Sequence, residues 1–420
     1  MQIAIIGAGN VGTTLGRAWA DAGHEIVYGA RDVASSPYPG AQVQTLQAAA
    51  ASADVVALTL PWAAVPEVVP ALGDLQGKIL IDVTNPIGPG FALTHGHTTS
   101  GAEQVAQLAT NARVVKAFNT TGLENMANPK YGDQRVFMPV AGDDAEALAK
   151  VVSLASEIGF DAIALKGLHR ARETEPLAML WIKLALAWGN GRSIGFTLSR
   201  RLEGDETTPK ATGSRQRIAI VGSGNIGGAL ARAWLHAGHD VRIVTRDPSA
   251  VDVKELVALG ATTSGIAEGA QERDVIVFAI PAGAVIEVAR AMGGLEGKVV
   301  IDCTNAIGKG FTLQYGHTTS SSEQLAQALP GARVVRSFNQ QGAEVLVNPV
   351  FSGNRATNFV AADDDDARNT VLALAADVGL DAVAAGPLSS ARYLEPMTIL
   401  WVALSQVLGT RQFGLSLARR

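Results

Sequence analysis

The chain has 420 residues, long enough for two to four domains and for sizeable cores without crosslinks. Hydrophobic residues make up 47%, charged residues 17%, and the net charge is −5, which excludes a disordered chain and a polybasic nucleic-acid binder. The single cysteine, Cys303, excludes an intrachain disulfide and a cysteine-cluster metal site, and no His/Glu ligand spacing points to a metal.

The N-terminal run Gln2–Ile6 reads as a short apolar strand. It lacks the basic region of a signal peptide, and the greasiest stretch, Leu177–Trp188, is broken by Lys183 and too short for a bilayer. A cytoplasmic protein with no membrane and no nucleic-acid partner is the expectation. Helical spacing follows over Asn10–Ala22, closing at Gly23, and then a second strand over Glu25–Tyr28. Apolar runs at Asp54–Leu60, Lys78–Asp82 and Arg113–Ala117 read as strands buried on both faces of a parallel sheet. Ser100-x-x-Glu103 is a capping box that starts a helix. The alternation predicts an α/β doubly wound parallel sheet. Leu177–Trp188 is apolar nearly all round, which predicts burial between repeats or in an oligomer.

The same elements then return. Residues 218–247 repeat residues 3–32 with 16 identities in 30 positions. Asp302-Cys-Thr-Asn305 answers Asp82-Val-Thr-Asn85, Gly316–Ser320 answers Gly96–Ser100, and Glu395-Pro396 answers Glu175-Pro176. The predicted organisation is one copy over 1–201, a polar linker over 202–216 and a second copy over 217–420. The two copies are expected to pair with each other or with a second chain.

Each copy opens with Gly-x-Gly-x-x-Gly between a strand and a helix: Gly7, Gly9 and Gly12, with Asn10 and Val11; then Gly222, Gly224 and Gly227, with Asn225 and Ile226. In that context the first glycine makes the turn, the second lets backbone approach a pyrophosphate, and the third lets helix and strand pack closely. A tight turn without ligand is the competing reading. The second strand ends in Arg31 and Arg246 where an NAD site would place an acid, so NADP(H) is favoured, with Thr245 adding a hydroxyl that Ala30 lacks. Asp32 and Asp247 are read as turn caps. An ordinary surface arginine is the alternative.

Ligands of such sheets bind beyond the carboxyl ends of the strands. Those ends carry Leu60-Pro61, Thr84-Asn85 and Phe118-Asn119, and in the second copy Ile280-Pro281, Thr304-Asn305 and Phe338-Asn339. The polar ones suit a nicotinamide amide or a substrate carbonyl, the phenylalanines a planar ring; turn formation is the alternative. His97 and His317 in the following loop, and Lys116 with its counterpart Arg336, are candidate proton donors; stabilising the loop is the alternative for the two histidines. His24 and His239 read as structural, Asp143-Asp144 and Asp363–Asp366 as helix starts, and Cys303 as a small core residue.

These residues resemble the NADPH-dependent reductases of coenzyme F-420, an 8-hydroxy-5-deazaflavin. The resemblance rests on Gly7-Ala-Gly-Asn-Val-Gly12, Arg31, Asp82-Val-Thr-Asn-Pro86, Val114-Val-Lys-Ala-Phe-Asn119, Ala141-Gly-Asp-Asp144 and Arg172-x-x-Glu175-Pro176. It implies a Rossmann-type domain with a small α/β extension, usually dimeric, passing a hydride between NADP(H) and a deazaflavin or flavin ring as co-substrate. By position it implies NADP held by Gly7, Gly9, Gly12 and Arg31, and a hydride site at Thr84, Asn85, Phe118 and Asn119. The chain departs from the pattern as a tandem copy forming a pseudo-dimer, with Ala30 for a small hydroxyl residue, Ala306 for proline and Arg336 for lysine. A carbonyl or imine reductase, or an NADP-binding sensor or scaffold, are the alternative functions.

Overall fold

The computed structural model describes residues 1–34, 40–205 and 213–420. It divides into two compact units, Met1–Leu198 with Ala418–Arg420, and Ser199–Leu417. Of the expected linker, residues 206–212 lie outside the described residues. The part before them is anchored within the second unit, where the Asp205 carboxylate accepts from the backbone of Ser352 and Gly353 at 2.7 and 3.1 Å.

In the first unit the chain runs β1 (Gln2–Ile6), α1 (Asn10–Asp21), β2 (Glu25–Ala30), β3 (Gln42–Thr45), α2 (Leu46–Ser52), β4 (Val55–Leu58) and α3 (Val65–Ala71). It continues through β5 (Ile79–Asp82), α4 (Gly101–Leu108), β6 (Arg113–Lys116), β7 (Phe137–Gly142), α5 (Ala145–Glu157), β8 (Asp161–Lys166) and α6 (Ala171–Leu186). The eight strands form one sheet in the order β8-β7-β6-β5-β4-β1-β2-β3. Six run parallel; β7 then pairs antiparallel with β6, and β8 lies parallel to β7. The expected C-terminal α/β extension is β7, α5 and β8, which continue the same sheet.

Strand β1 shows why the sheet is covered on both faces. Ile3 and Ile5 enter a core with Leu15, Trp19 and Val151, whereas Ala4 and Ile6 enter another with Val56, Leu58 and Val65. Alternating residues that are all apolar need a layer of helices on each side. The Trp19 indole, fully buried, meets its polar need by donating to the Leu154 carbonyl at 3.1 Å. The second strand outruns its expected end by two residues because Gly29 and Ala30 pair with Gln44 and Thr45. Helix α6 starts at Ala171, six residues earlier than apolarity suggests, because its first turn buries Glu173, Thr174 and Glu175; it ends at Leu186.

The second unit repeats the plan. Its sheet is built from β9 (Arg217–Val221), β10 (Asp240–Val244), β11 (Thr262–Ser264), β12 (Val275–Phe278), β13 (Val299–Asp302), β14 (Arg333–Arg336), β15 (Thr357–Ala362) and β16 (Asp381–Ala384), in the order β11-β10-β9-β12-β13-β14-β15-β16. Both units are Rossmann-like α/β domains. Asp144 and Asp364 cap the helices after β7 and β15, accepting from the backbone of Ala147 and Ala367 at 2.8 and 2.7 Å, as the sequence predicts. Among the described residues no helix is long and apolar enough to cross a membrane.

Candidate functional site: two glycine loops and two buried ion clusters

The glycines divide their labour as the motif requires. Gly7 turns with φ +111°, and a Cβ on it would lie 2.8 Å from the Thr59 carbonyl oxygen. A Cβ on Gly12 would sit 2.0 Å from the Gly7 carbonyl oxygen, so helix and strand could not close together. Gly9 faces open space, with nothing within 4 Å of an added Cβ. It is also the N-cap of α1 and supplies no side-chain cap, which leaves first-turn N–H groups facing that space. Gly222 (φ +101°), Gly224 and Gly227 repeat all three properties. This geometry fits a dinucleotide pyrophosphate. Asn10 and Val11, and Asn225 and Ile226, form the first residues of the helices that begin here.

Leu60 and Ile280 wall the loops, their side chains 2.9 and 2.8 Å from where Cβ atoms on Gly7 and Gly222 would stand. Pro61 and Pro281 are the N-caps of the next helical turns. A residue not singled out in the sequence, Thr59, holds the first loop by donating to the Gly7 carbonyl at 2.7 Å; its counterpart is Ala279. Arg31 and Arg246 are exposed just past β2 and β10. Asp32 and Asp247 accept from the backbone of Ala34 and Ser249, the turn role expected of them. The Thr245 hydroxyl is engaged in the same turn, donating to the Asp247 carbonyl at 3.2 Å.

At the carboxyl ends of β5 and β6 the structure gathers a cluster whose members the sequence scatters. The Lys116 ammonium lies 2.9 Å from Asp82 Oδ2, 3.0 Å from Glu175 Oε1 and 2.6 Å from the Thr84 carbonyl oxygen, and all three charged side chains are buried. Burial alone would lower the Lys116 pKa, but the two carboxylates outweigh it and hold the ammonium above its ordinary range. Lys116 thus differs from the expected proton donor: its three N–H bonds are committed inside the fold. Arg336 takes the same place, with Nη1 2.9 Å from Asp302 Oδ2 and Nη2 3.2 Å from Asn305 Oδ1.

The polar residues beside the clusters are largely committed too. Thr84 and Thr304 donate their hydroxyls to Asp82 and Asp302 at 2.7 Å. Asn85 donates to the Asn119 carbonyl at 3.0 Å and accepts from the Asn119 amide at 3.2 Å, so the pair joins the two strand ends. Asn305 and Asn339 do the same at 3.2 and 3.3 Å. Asn119 Oδ1 stays buried without a hydrogen-bond partner among the described residues. Phe118 and Phe338 adopt φ +62° and +58°, which turns their rings into the core against Trp19 and Trp234 at 5.5 and 5.7 Å between centroids. They are core residues and not a platform for a planar ligand.

His97 and His317 are half-buried in the loops before α4 and its counterpart, with φ +61° and +59°. Such values strain a non-glycine backbone and recur at functional loops. His24 and His239 are structural, bound to Glu157 at 2.7 Å and Asp377 at 3.0 Å. Sequence reasoning missed Glu173, whose buried carboxyl is pushed up to about 8 by loss of solvent against the opposing pull of Arg170 and Arg172. Its Oε2 has no hydrogen-bond partner among the described residues. Cys303 is buried, as expected, and among the described residues no three His, Cys, Asp or Glu side chains group to hold a metal.

A family model described as NADP oxidoreductase, coenzyme F-420-dependent, matches residues 2–86 and again 217–306. The F-420-dependent NADP reductase of Methanothermobacter thermautotrophicus is 33% identical over 210 residues, covering 44% of this chain and 89% of that protein. The metalloreductase STEAP3 of Rattus norvegicus is 30% identical over 185 residues, 43% of this chain but only 37% of its own length. A crystal structure from Arthrobacter sp. FB24, provisionally assigned as an F-420-dependent NADP reductase, is 33% identical. It covers 46% of this chain and 96% of that one, with a TM-score of 0.43.

Proposed function

The chain belongs to the coenzyme F-420-dependent NADP oxidoreductase family, and from that premise we propose that it moves a hydride between NADP(H) and a deazaflavin or flavin ring. The observation that carries this reading is the commitment of Lys116 and Arg336 to buried carboxylates beside the strand ends. Hydride transfer to a ring needs alignment at near-attack distance more than a strong acid or base. Gly7, Gly9 and Gly12, with Gly222, Gly224 and Gly227, would cradle the pyrophosphates, and Arg31 and Arg246 the 2′-phosphates. Asn85, Asn119, Asn305 and Asn339 would edge the hydride sites, while Thr84 and Thr304 hold the strand ends. NADP(H) supplies the hydride at its nicotinamide ring; the chain binds and orients it. Two copies, 1–201 and 217–420, are taken to form a pseudo-dimer, paired with each other or with a second chain.

Reduction of a carbonyl or imine is the second reading, favoured by the strained His97 and His317 as proton donors. The test is NADPH oxidation by the full chain with coenzyme F-420, FMN, FAD and a carbonyl and imine panel. Turnover with a ring acceptor supports the first reading; turnover confined to carbonyls or imines overturns it in favour of the second. Two NADPH bound with no acceptor reduced would make the protein a sensor or scaffold.

A further inference from the structure

Transfer to a flat ring needs a surface that holds the ring, and the phenylalanines expected in that role point into the core. In the first unit the strand order reverses between β1 and β4, so the crevice for ligands opens between the loops that follow those two strands. The loop after β1 is the glycine loop. The chain after β4 begins with Thr59 and Leu60, which lie against Gly7, and continues through Pro61 into Trp62. The short turn Trp62–Ala64 then packs against Ile87-Gly88, the segment that follows Thr84 and Asn85. Trp62 therefore stands between the glycine loop and the strand end that carries Asn85.

Trp62 differs from the tryptophans that build the fold. Trp19 and Trp181 are buried and anchored, their indoles donating to the Leu154 and Ile194 carbonyls at 3.1 and 2.9 Å. Trp62 is half-buried, and its indole N–H makes no hydrogen bond among the described residues. It packs against the core that contains Leu58 and Val65, and its ring meets His95 edge-on, with 5.4 Å between centroids and 72° between planes. His95 is itself fixed, its Nδ1 lying 2.9 Å from the Thr94 hydroxyl. An indole held by an apolar core and a neighbouring imidazole, yet partly open to solvent, is a preorganised surface for a flat ring. In the second unit Ala282 stands at the position of Trp62 and carries no ring, and Tyr315 stands at that of His95.

We propose that Trp62, steadied by His95, is the stacking platform for a flat conjugated acceptor ring, and that the first unit is the copy that takes such a ring. The inference rests on the reading that the chain passes a hydride between NADP(H) and a deazaflavin or flavin ring. Trp62 governs the affinity for the ring and not the affinity for NADP(H), because the groups assigned to the cofactor are the glycine loop and Arg31. The aromatic surface that the sequence assigns to Phe118, at the end of β6, is thus supplied from the end of β4.

The test uses the full chain saturated with NADP+ and titrated with FMN and with coenzyme F-420, each followed by quenching of its own fluorescence. In Trp62→Ala the ring Kd should rise by about tenfold or more, as the loss of a stacked aromatic surface requires. Trp62→Leu, which keeps apolar bulk but has no ring, should do the same, and it serves if the alanine variant does not fold. Trp62→Phe should stay within about threefold of the wild type, and NADPH affinity within about twofold in all three variants. Ala282→Leu should leave ring binding unchanged. An unchanged ring Kd in Trp62→Ala and Trp62→Leu overturns the platform, as does Trp62→Leu matching Trp62→Phe, which would make the residue a packing element. Loss of ring affinity in Ala282→Leu overturns the assignment to the first unit. If the wild type binds NADPH but neither ring, the ring-acceptor reading itself falls and the platform with it.

Discussion

Gly9 and Gly12 stand three residues apart in one loop, yet their substitution should fail in opposite ways. In Gly12→Ala the new methyl would lie 2.0 Å from the Gly7 carbonyl oxygen and 2.5 Å from Thr59 Oγ1, so the loop must move away from α1. Overpacking of this kind costs about 1–3 kcal/mol. For a unit of roughly 200 residues, at about 2–4 °C per kcal/mol, the first unit's melting transition should drop by several degrees. In Gly9→Val the side chain enters open space, and the backbone, at φ −76° and ψ −174°, already suits a β-branched residue. Its stability cost should stay below about 1 kcal/mol, the loss of a glycine N-cap. The valine instead occupies the place proposed for the pyrophosphate at the N-terminus of α1, and NADPH affinity in that unit should fall by about 100-fold, or ~2.7 kcal/mol. Calorimetric titration should then count one tight NADPH per chain in place of two, with near-wild-type melting. Unchanged stoichiometry and affinity in Gly9→Val would refute the pyrophosphate reading of the loop.

Arg31→Ala combined with Arg246→Ala should weaken NADPH by about 100-fold and NADH by less than about threefold, as the loss of guanidinium contacts to a 2′-phosphate requires. Equal losses measured by titration would remove the preference for NADP. Lys116→Ala leaves Asp82 and Glu175 buried without their cation and should destabilise the first unit by about 3–5 kcal/mol in denaturant melts. A loss of activity with wild-type stability would instead make Lys116 a proton donor. Glu173 titrates from the ordinary carboxyl value of 4.5 up to about 8 on folding, so the folded chain binds the extra proton between those values. Its contribution is full below pH 4.5 and lost as pH rises through 8, by up to about 5 kcal/mol. Glu173→Gln should therefore melt like the wild type near pH 5 and hotter near pH 8; a pH-independent difference would show that Glu173 is not held neutral.

The elements that position the cofactor loop were legible because their signals are local. A strand, three glycines and a helix fall within twenty residues, and the repeat at residues 218–247 doubles the signal. Glycine spacing alone requires the turn and the close approach that the structure shows at Gly7 and Gly12. The strand-end residues were found as positions but not as partners. Thr84 and Asn85 are near Asn119 only because β5 and β6 are sheet neighbours, and Glu175 reaches Lys116 only because α6 returns over them. Phe118 was expected to face a ligand, but a positive φ turns its ring inward, and no composition or periodicity carries that sign.

By itself the sequence determined a duplicated Rossmann-like plan, the glycine loops and the arginines after the second strands, because these depend on backbone conformation and short-range order. Tertiary structure decided which charged groups are spent. Lys116 and Arg336 read as available cations along the chain, but burial beside two carboxylates makes release of their charge costly. It also decided that Ala282 lines a small cavity in the second unit, whereas Trp62, equivalent in register, packs edge-on against His95 in the first. A cavity is the difference between neighbouring side-chain volumes, and those neighbours come from strands, loops and helices far apart in the chain.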